Sequence, residues 1–68
     1  MEIFSKRLKE LRKSAGYSQQ QTAERLKIRQ QSYARYESGV GEPNLETVAE
    51  IAKLFEVSTD YLLGLSDF

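Results

Sequence analysis

Sixty-eight residues make one domain at most, near the lower limit for folding without a staple. The chain has neither cysteine nor histidine, which excludes disulfides and cysteine metal sites and removes the commonest general base and metal ligand. Ten Lys/Arg balance ten Asp/Glu, so a uniformly basic nucleic-acid binder is excluded too. The charges are nevertheless segregated. Residues 1–36 carry Lys6, Arg7, Lys9, Arg12, Lys13, Arg25, Lys27, Arg29 and Arg35 against Glu2, Glu10 and Glu24, a net +6. Residues 37–68 carry Lys53 against seven acidic residues, a net −6. Such asymmetry suits one polyanion-facing half and one acidic outer half, and equally a dipolar surface without a partner. No apolar run approaches the ~20 residues of a membrane span. The start, Met1-Glu2-Ile3-Phe4, does not read as a signal peptide because cations follow where an apolar stretch should be. A cytoplasmic location is the expectation.

Strand signals are absent and helix signals recur in short blocks. Phe4, Leu8, Leu11 and Ala15 fall on one stripe of a first helix, which Gly16 ends. "SQQQ" reads as a capping box for a second helix of about eight residues: Ser18 accepts from the Gln21 amide and Gln21 reaches back. "KIR" is the only connector to a third helix, Gln30 to Ser38, closed by Gly39. After the loop "VGEPN", Asn44 caps a fourth helix whose apolar face is Leu45, Val48, Ala49, Ile51, Ala52 and Phe55. Ser58 caps a short fifth helix carrying Tyr61, Leu62 and Leu63, and the tail "LSDF" has no element of its own. Without repeat or linker, the expectation is a single all-α, five-helix domain over residues 1–68, with residues 5–64 as its central part.

The third block, "RQQSYARYESG", carries the functional signal. Wound at 100° per residue, Gln30, Ala34, Ser38, Gln31 and Arg35 occupy one arc of about 140°, with Tyr33 and Tyr36 on the other side. Glutamine pairs bidentately with adenine N6/N7 and arginine with guanine O6/N7, so this face has the chemistry to read base edges in a major groove. Two short helices joined by three residues, with the small Ala23 where they cross, form a helix-turn-helix arrangement.

From "KRLKELRKSAGYSQ" through "RQQSYARYESG" to "LETVAEIAKLFEVSTDYLLG" the chain resembles the Cro/CI (lambda-repressor-like, Xre-type) family of DNA-binding regulators. The closing pattern of Val57, Ser58, Asp60, Leu62, Leu63 and Gly64 is especially diagnostic. The resemblance implies that the third helix is the recognition helix, with Gln30, Gln31 and Arg35 facing bases. Ala34 leaves room for close approach and a thymine methyl. It also implies a phosphate contact by Gln19, where free amides and the positive helix end favour an anion. Arg29, Lys27 and Ser18 are weaker phosphate candidates. Arg12 and Glu37 match positions that form an ion pair between the first and third helices of related repressors. For Lys6, Lys9 and Lys13 a plain solvated face is the simpler account.

The chain departs from the family pattern in places. Lys27 stands where the turn usually has glycine, and Arg29 where the recognition helix usually has a Ser/Thr cap. Tyr33 and Tyr36 replace aliphatic residues, which implies a widened contact between the second and third helices, hydroxyls at the rim and within reach of phosphate. The loop after the recognition helix lacks cations and contains Glu42, so binding should depend on a dimer whose recognition helices stand about one turn, ~34 Å, apart on a palindrome. Tyr61, Leu65 and Phe68 are the candidate dimer contacts; folding of Leu65 and Phe68 back onto the core is the alternative. The leading function is a sequence-specific bacterial or phage transcription regulator, most simply a repressor. The alternative is a protein-interaction module on the same scaffold, antitoxin-like or bound by an anti-repressor. Serines and threonine without histidine make an enzyme the weakest reading, and neither metal nor cofactor is expected.

Overall fold

Five helices in succession make up the structure, a computed structural model that describes residues 2–68; Met1 lies outside them. They are α1 (Glu2–Ser14), α2 (Gln19–Leu26), α3 (Gln30–Ser38), α4 (Leu45–Phe55) and α5 (Thr59–Leu63), and no strand occurs among the described residues. Local chemistry sets each boundary. The Tyr17 N–H donates to the Arg12 carbonyl and the Gly16 N–H to that of Lys13, with Gly16 left-handed at φ 77°, which closes α1. At α2 both arms of the Ser18–Gln21 capping box are present. Asn44 and Ser58 accept the Thr47 and Tyr61 amides to start α4 and α5. No side chain caps α3 at Arg29.

The inter-helix turn takes the strained form that its sequence implied. Lys27 adopts φ 60°, ψ 41° so that the Ile28 N–H can return to the Ala23 carbonyl. Left-handed backbone costs a non-glycine residue about 1 kcal/mol or more. Glu56 ends α4 in the same conformation, φ 56°, without any glycine in the sequence to announce it.

Packing of α1 on α3 and α5, of α2 on α3 and α4, and of α4 on α5 buries Phe4, Leu8, Ala23, Tyr33, Val48, Ile51, Ala52 and Leu62. Leu11, Leu26, Ile28, Tyr36, Phe55 and Val57 pack around them. Helices this short hold together through such burial, worth ~1.5–3 kcal/mol per large side chain, rather than through their own propensity. Ala15, Leu45 and Leu63, all placed in apolar blocks by the sequence, are exposed. Ala15 is exposed because α1 stops one residue before it. Leu45 is 86% exposed: helical side chains lean toward the N-terminus, so at the first helical position it overhangs the helix end.

Two polar ties complete the frame. The Arg7 guanidinium donates to the carbonyls of Tyr61 and Ser66 and lies 4.2 Å over the Tyr61 ring, fastening α5 and the tail to α1. The Ser5 hydroxyl donates to the Tyr36 carbonyl at 2.6 Å, joining α1 to α3. Beyond α3, the amides of Val40 and Gly41 both return to the Arg35 carbonyl. Gly41 is pressed so closely on α3 that a Cβ there would stand 3.1 Å from Arg35 Cβ and 3.3 Å from the Tyr36 ring.

Candidate nucleic-acid interface

Helix α3 shows two chemically distinct faces. Gln30, Gln31, Arg35 and Ser38 are exposed and Ala34 is half-buried, so the arc read from the sequence is an open surface. The opposite face is Tyr33, fully buried, and Tyr36, packed at the edge of the core. Among the described residues, the one side-chain hydrogen bond on the open arc is Ser38 Oγ to the Arg35 carbonyl, a local bond that leaves the glutamine amides and the guanidinium for an outside partner.

A buried carboxylate holds this helix in place. Glu37, its side chain 3% exposed, receives Arg12 Nε at 2.6 Å on one oxygen and Arg12 Nη2 at 3.1 Å on the other. The ion pair inferred between the first and third helices is therefore bidentate, the strong form of the interaction. Arg12 Nη1 additionally donates to the Tyr17 carbonyl at 2.9 Å, so the same side chain secures the α1–α2 turn. Two further donors reach Glu37: the Tyr33 hydroxyl at 2.5 Å and Gln19 Nε2 at 3.1 Å. Burial pushes the carboxyl up, but the hydrogen bonds from Arg12, Tyr33 and Gln19 outweigh it and hold Glu37 below the ordinary value of 4.5. Its hydrogen bond to Glu37 raises Arg12 further. Burial and then the bond to Glu37 push the Tyr33 hydroxyl well above its usual value of 10.

Tyr33 thus corrects the sequence reading. Its hydroxyl is not at the rim but inside, because an anion one helical turn away on the same helix captures it. The i,i+4 spacing of Tyr33 and Glu37 was the available signal. The other candidates divide by place. Ser18 and Gln19 stand at the start of α2, with Ser18 exposed and engaged as the cap and Gln19 half-buried. Lys27 and Arg29 are exposed at its opposite end. Arg25 lies 4.5 Å over the Tyr17 ring, a structural use of a cation from the basic half. Of the candidate dimer residues, Leu65 and Phe68 are 76% and 91% exposed, so they do not fold back on the core, while Tyr61 is half-buried beneath Arg7. Arg7 is the residue sequence reasoning passed over.

The profile of the helix-turn-helix family matches residues 8–62, from the buried stripe of α1 to Leu62 of α5. The chain belongs to this Xre/Cro-type family. It resembles several bacterial and phage proteins of the helix-turn-helix type. It is 48% identical to the SPbeta prophage-derived uncharacterized HTH-type transcriptional regulator YonR of Bacillus subtilis, over 90% of this chain and 56% of that protein. It is 41% identical to the cryptic phage CTXphi transcriptional repressor RstR of Vibrio cholerae, over 90% and 54%. With the HTH-type transcriptional activator BcrR of Enterococcus faecalis it shares 38%, over 90% and 30%. The chain spans about half the length, or less, of the curated relatives it matches. Among the described residues, no helix is long and apolar enough to cross a membrane.

Proposed function

We propose that this regulator binds a palindromic double-stranded operator as a homodimer, in the cytoplasm, and represses by occluding a promoter. The observation that carries the reading is the open polar arc of α3, braced from behind by a buried ion pair. Gln30, Gln31 and Arg35 read base edges and Ala34 admits a thymine methyl. Gln19, Ser18, Arg29 and Lys27 hold phosphates, which fixes register and supplies salt-dependent affinity. The cation-free loop makes the monomer a weak binder, so a second copy, meeting it through Tyr61, Leu65 and Phe68, supplies the rest. Repression is the simplest outcome of occupancy and is what the name of the similar RstR states of that protein.

Selection of bound duplexes from a random double-stranded pool at near-physiological salt tests the reading. Enrichment of an inverted repeat with half-sites about one turn apart, ~34 Å, is expected. Weak, salt-sensitive retention without enrichment would sink it. A second reading, a protein-interaction module, is favoured by the acidic loop with Glu42 and by the exposed Val40 and Leu45 beside it. Alanine at Gln31 and Arg35 separates the two: a pure protein-binding module keeps its function, and a DNA reader loses it.

A further inference from the structure

Four donor atoms converge on the two oxygens of Glu37, and they come from three helices: Arg12 Nε and Nη2 from α1, Gln19 Nε2 from α2 and the Tyr33 hydroxyl from α3. A carboxylate only accepts hydrogen bonds, so the Gln19 side chain must turn its nitrogen, not its oxygen, toward Glu37. That nitrogen has two hydrogens and Glu37 engages one of them. The second therefore has a fixed direction, on a half-buried residue at the exposed start of α2. The choice of Gln19 orientation thus depends on where Glu37 holds its oxygens. Arg12, itself held at Nη1 by the Tyr17 carbonyl, grips both oxygens from the α1 side. The Tyr33 hydroxyl is a second anchor from α3, set on a ring with no exposure: it bonds Oε2, while Oε1 takes Gln19 alongside Arg12 Nη2.

We propose that the Tyr33 hydroxyl is a positioning group for the DNA backbone contact: by fixing the Glu37 carboxylate, it aims the second Nε2–H of Gln19 at a phosphate. The inference rests on the DNA-reading function proposed above and deepens it. Tyr33 touches no DNA and acts entirely through Glu37 and Gln19.

Because an amide–phosphate bond is neutral on the protein side and reads no base, the chain of contact has a specific signature. Tyr33→Phe keeps the ring that fills the core and removes only the hydroxyl. Affinity for the selected operator and for an unrelated duplex, measured by fluorescence anisotropy at several salt concentrations, should fall by the same factor, about threefold to tenfold. The salt slope should stay as it is, since no counterion-displacing charge is lost. In a Gln19→Ala background the same substitution should cost nothing more, the non-additivity expected of residues acting in series. Circular dichroism of each variant confirms the fold.

A measurement on the wild type needs no variant to fold. On titration with operator duplex, one side-chain amide proton of Gln19, the one not held by Glu37, should shift in the NMR spectrum far more than the other. Unchanged affinity of Tyr33→Phe, a loss that persists in the Gln19→Ala background, altered base preference, or equal shifts of the two protons would each overturn the proposal while leaving the DNA-reading function standing. A wild-type chain with no sequence preference would overturn both.

Discussion

Arg7 and Arg12 leave α1 five residues apart, and each ties that helix to a distant segment. Arg12 meets a carboxylate shut away from water, and the pair secures α3. Arg7 meets the backbone carbonyls of Tyr61 and Ser66, stacks on the Tyr61 ring, and stands 3.9 Å from Asp67, whose side chain is 95% exposed. The difference lies in what happens when the arginine is taken away. Carbonyls at the edge of the domain recover a hydrogen bond from water, whereas Glu37 would remain a buried anion with its main counter-charge missing. One residue type, twice on one helix, is indispensable in one place and an accessory in the other.

That contrast can be broken by substitution. Arg12→Ala should destabilise the domain by ~3–5 kcal/mol, the cost of orphaning a buried ion-pair partner, as read from denaturant unfolding. A loss below about 1 kcal/mol would mean that Glu37 behaves like a surface group. Arg7→Ala should cost less, ~1–2 kcal/mol, with hydrogen exchange accelerating in α5 and the tail first. Equal losses at the two arginines would erase the distinction.

Acid gives a third route. Glu37 titrates lower in the folded chain than its ordinary value of 4.5, so its contribution is fully present above that value and fades as pH falls through the lower, folded one. Stability should therefore decline below about pH 4.5, and Glu37→Gln should flatten that part of the profile. Arg7→Ala should retain it. The smallest effect is expected at the left-handed helix ends, remote from either arginine's bonds. Lys27→Gly and Glu56→Gly should each stabilise by up to ~1 kcal/mol, as relief of the left-handed strain is partly offset by glycine's entropy. Opposite signs at the two sites would show that Lys27 has a stabilising contact that outweighs its backbone.

Most of the fold was legible before the structure because its punctuation is local. Ser18, Asn44 and Ser58 announce helix starts through side chains that bond three residues away, and Gly16, Gly39 and Gly64 announce ends. The open arc of α3 followed from the helical period alone. The Arg12–Glu37 pair was reachable only through family resemblance, since 25 residues separate the partners. The Arg7 tie stayed hidden for a different reason: its acceptors are backbone carbonyls, which every residue possesses and no sequence pattern marks. Glu56 ends a helix in a glycine-like conformation without being glycine, and Leu45 obeys the apolar period yet overhangs the helix, because periodicity gives a face but not where the neighbouring helix begins.

The contact at Gly41 has a consequence for anyone wishing to retune this domain. The segment Gly39–Asn44 is the place to graft cations for a firmer hold on the operator proposed above, and Val40 and Glu42 are exposed enough to accept them. Gly41 is not, since even a methyl there would press on Arg35 Cβ and the Tyr36 ring. A library that randomises the whole loop would thus mix two experiments, one on grip and one on the aim of Arg35, the proposed base reader. Holding Gly41 fixed separates them, and makes affinity an adjustable quantity at constant sequence preference.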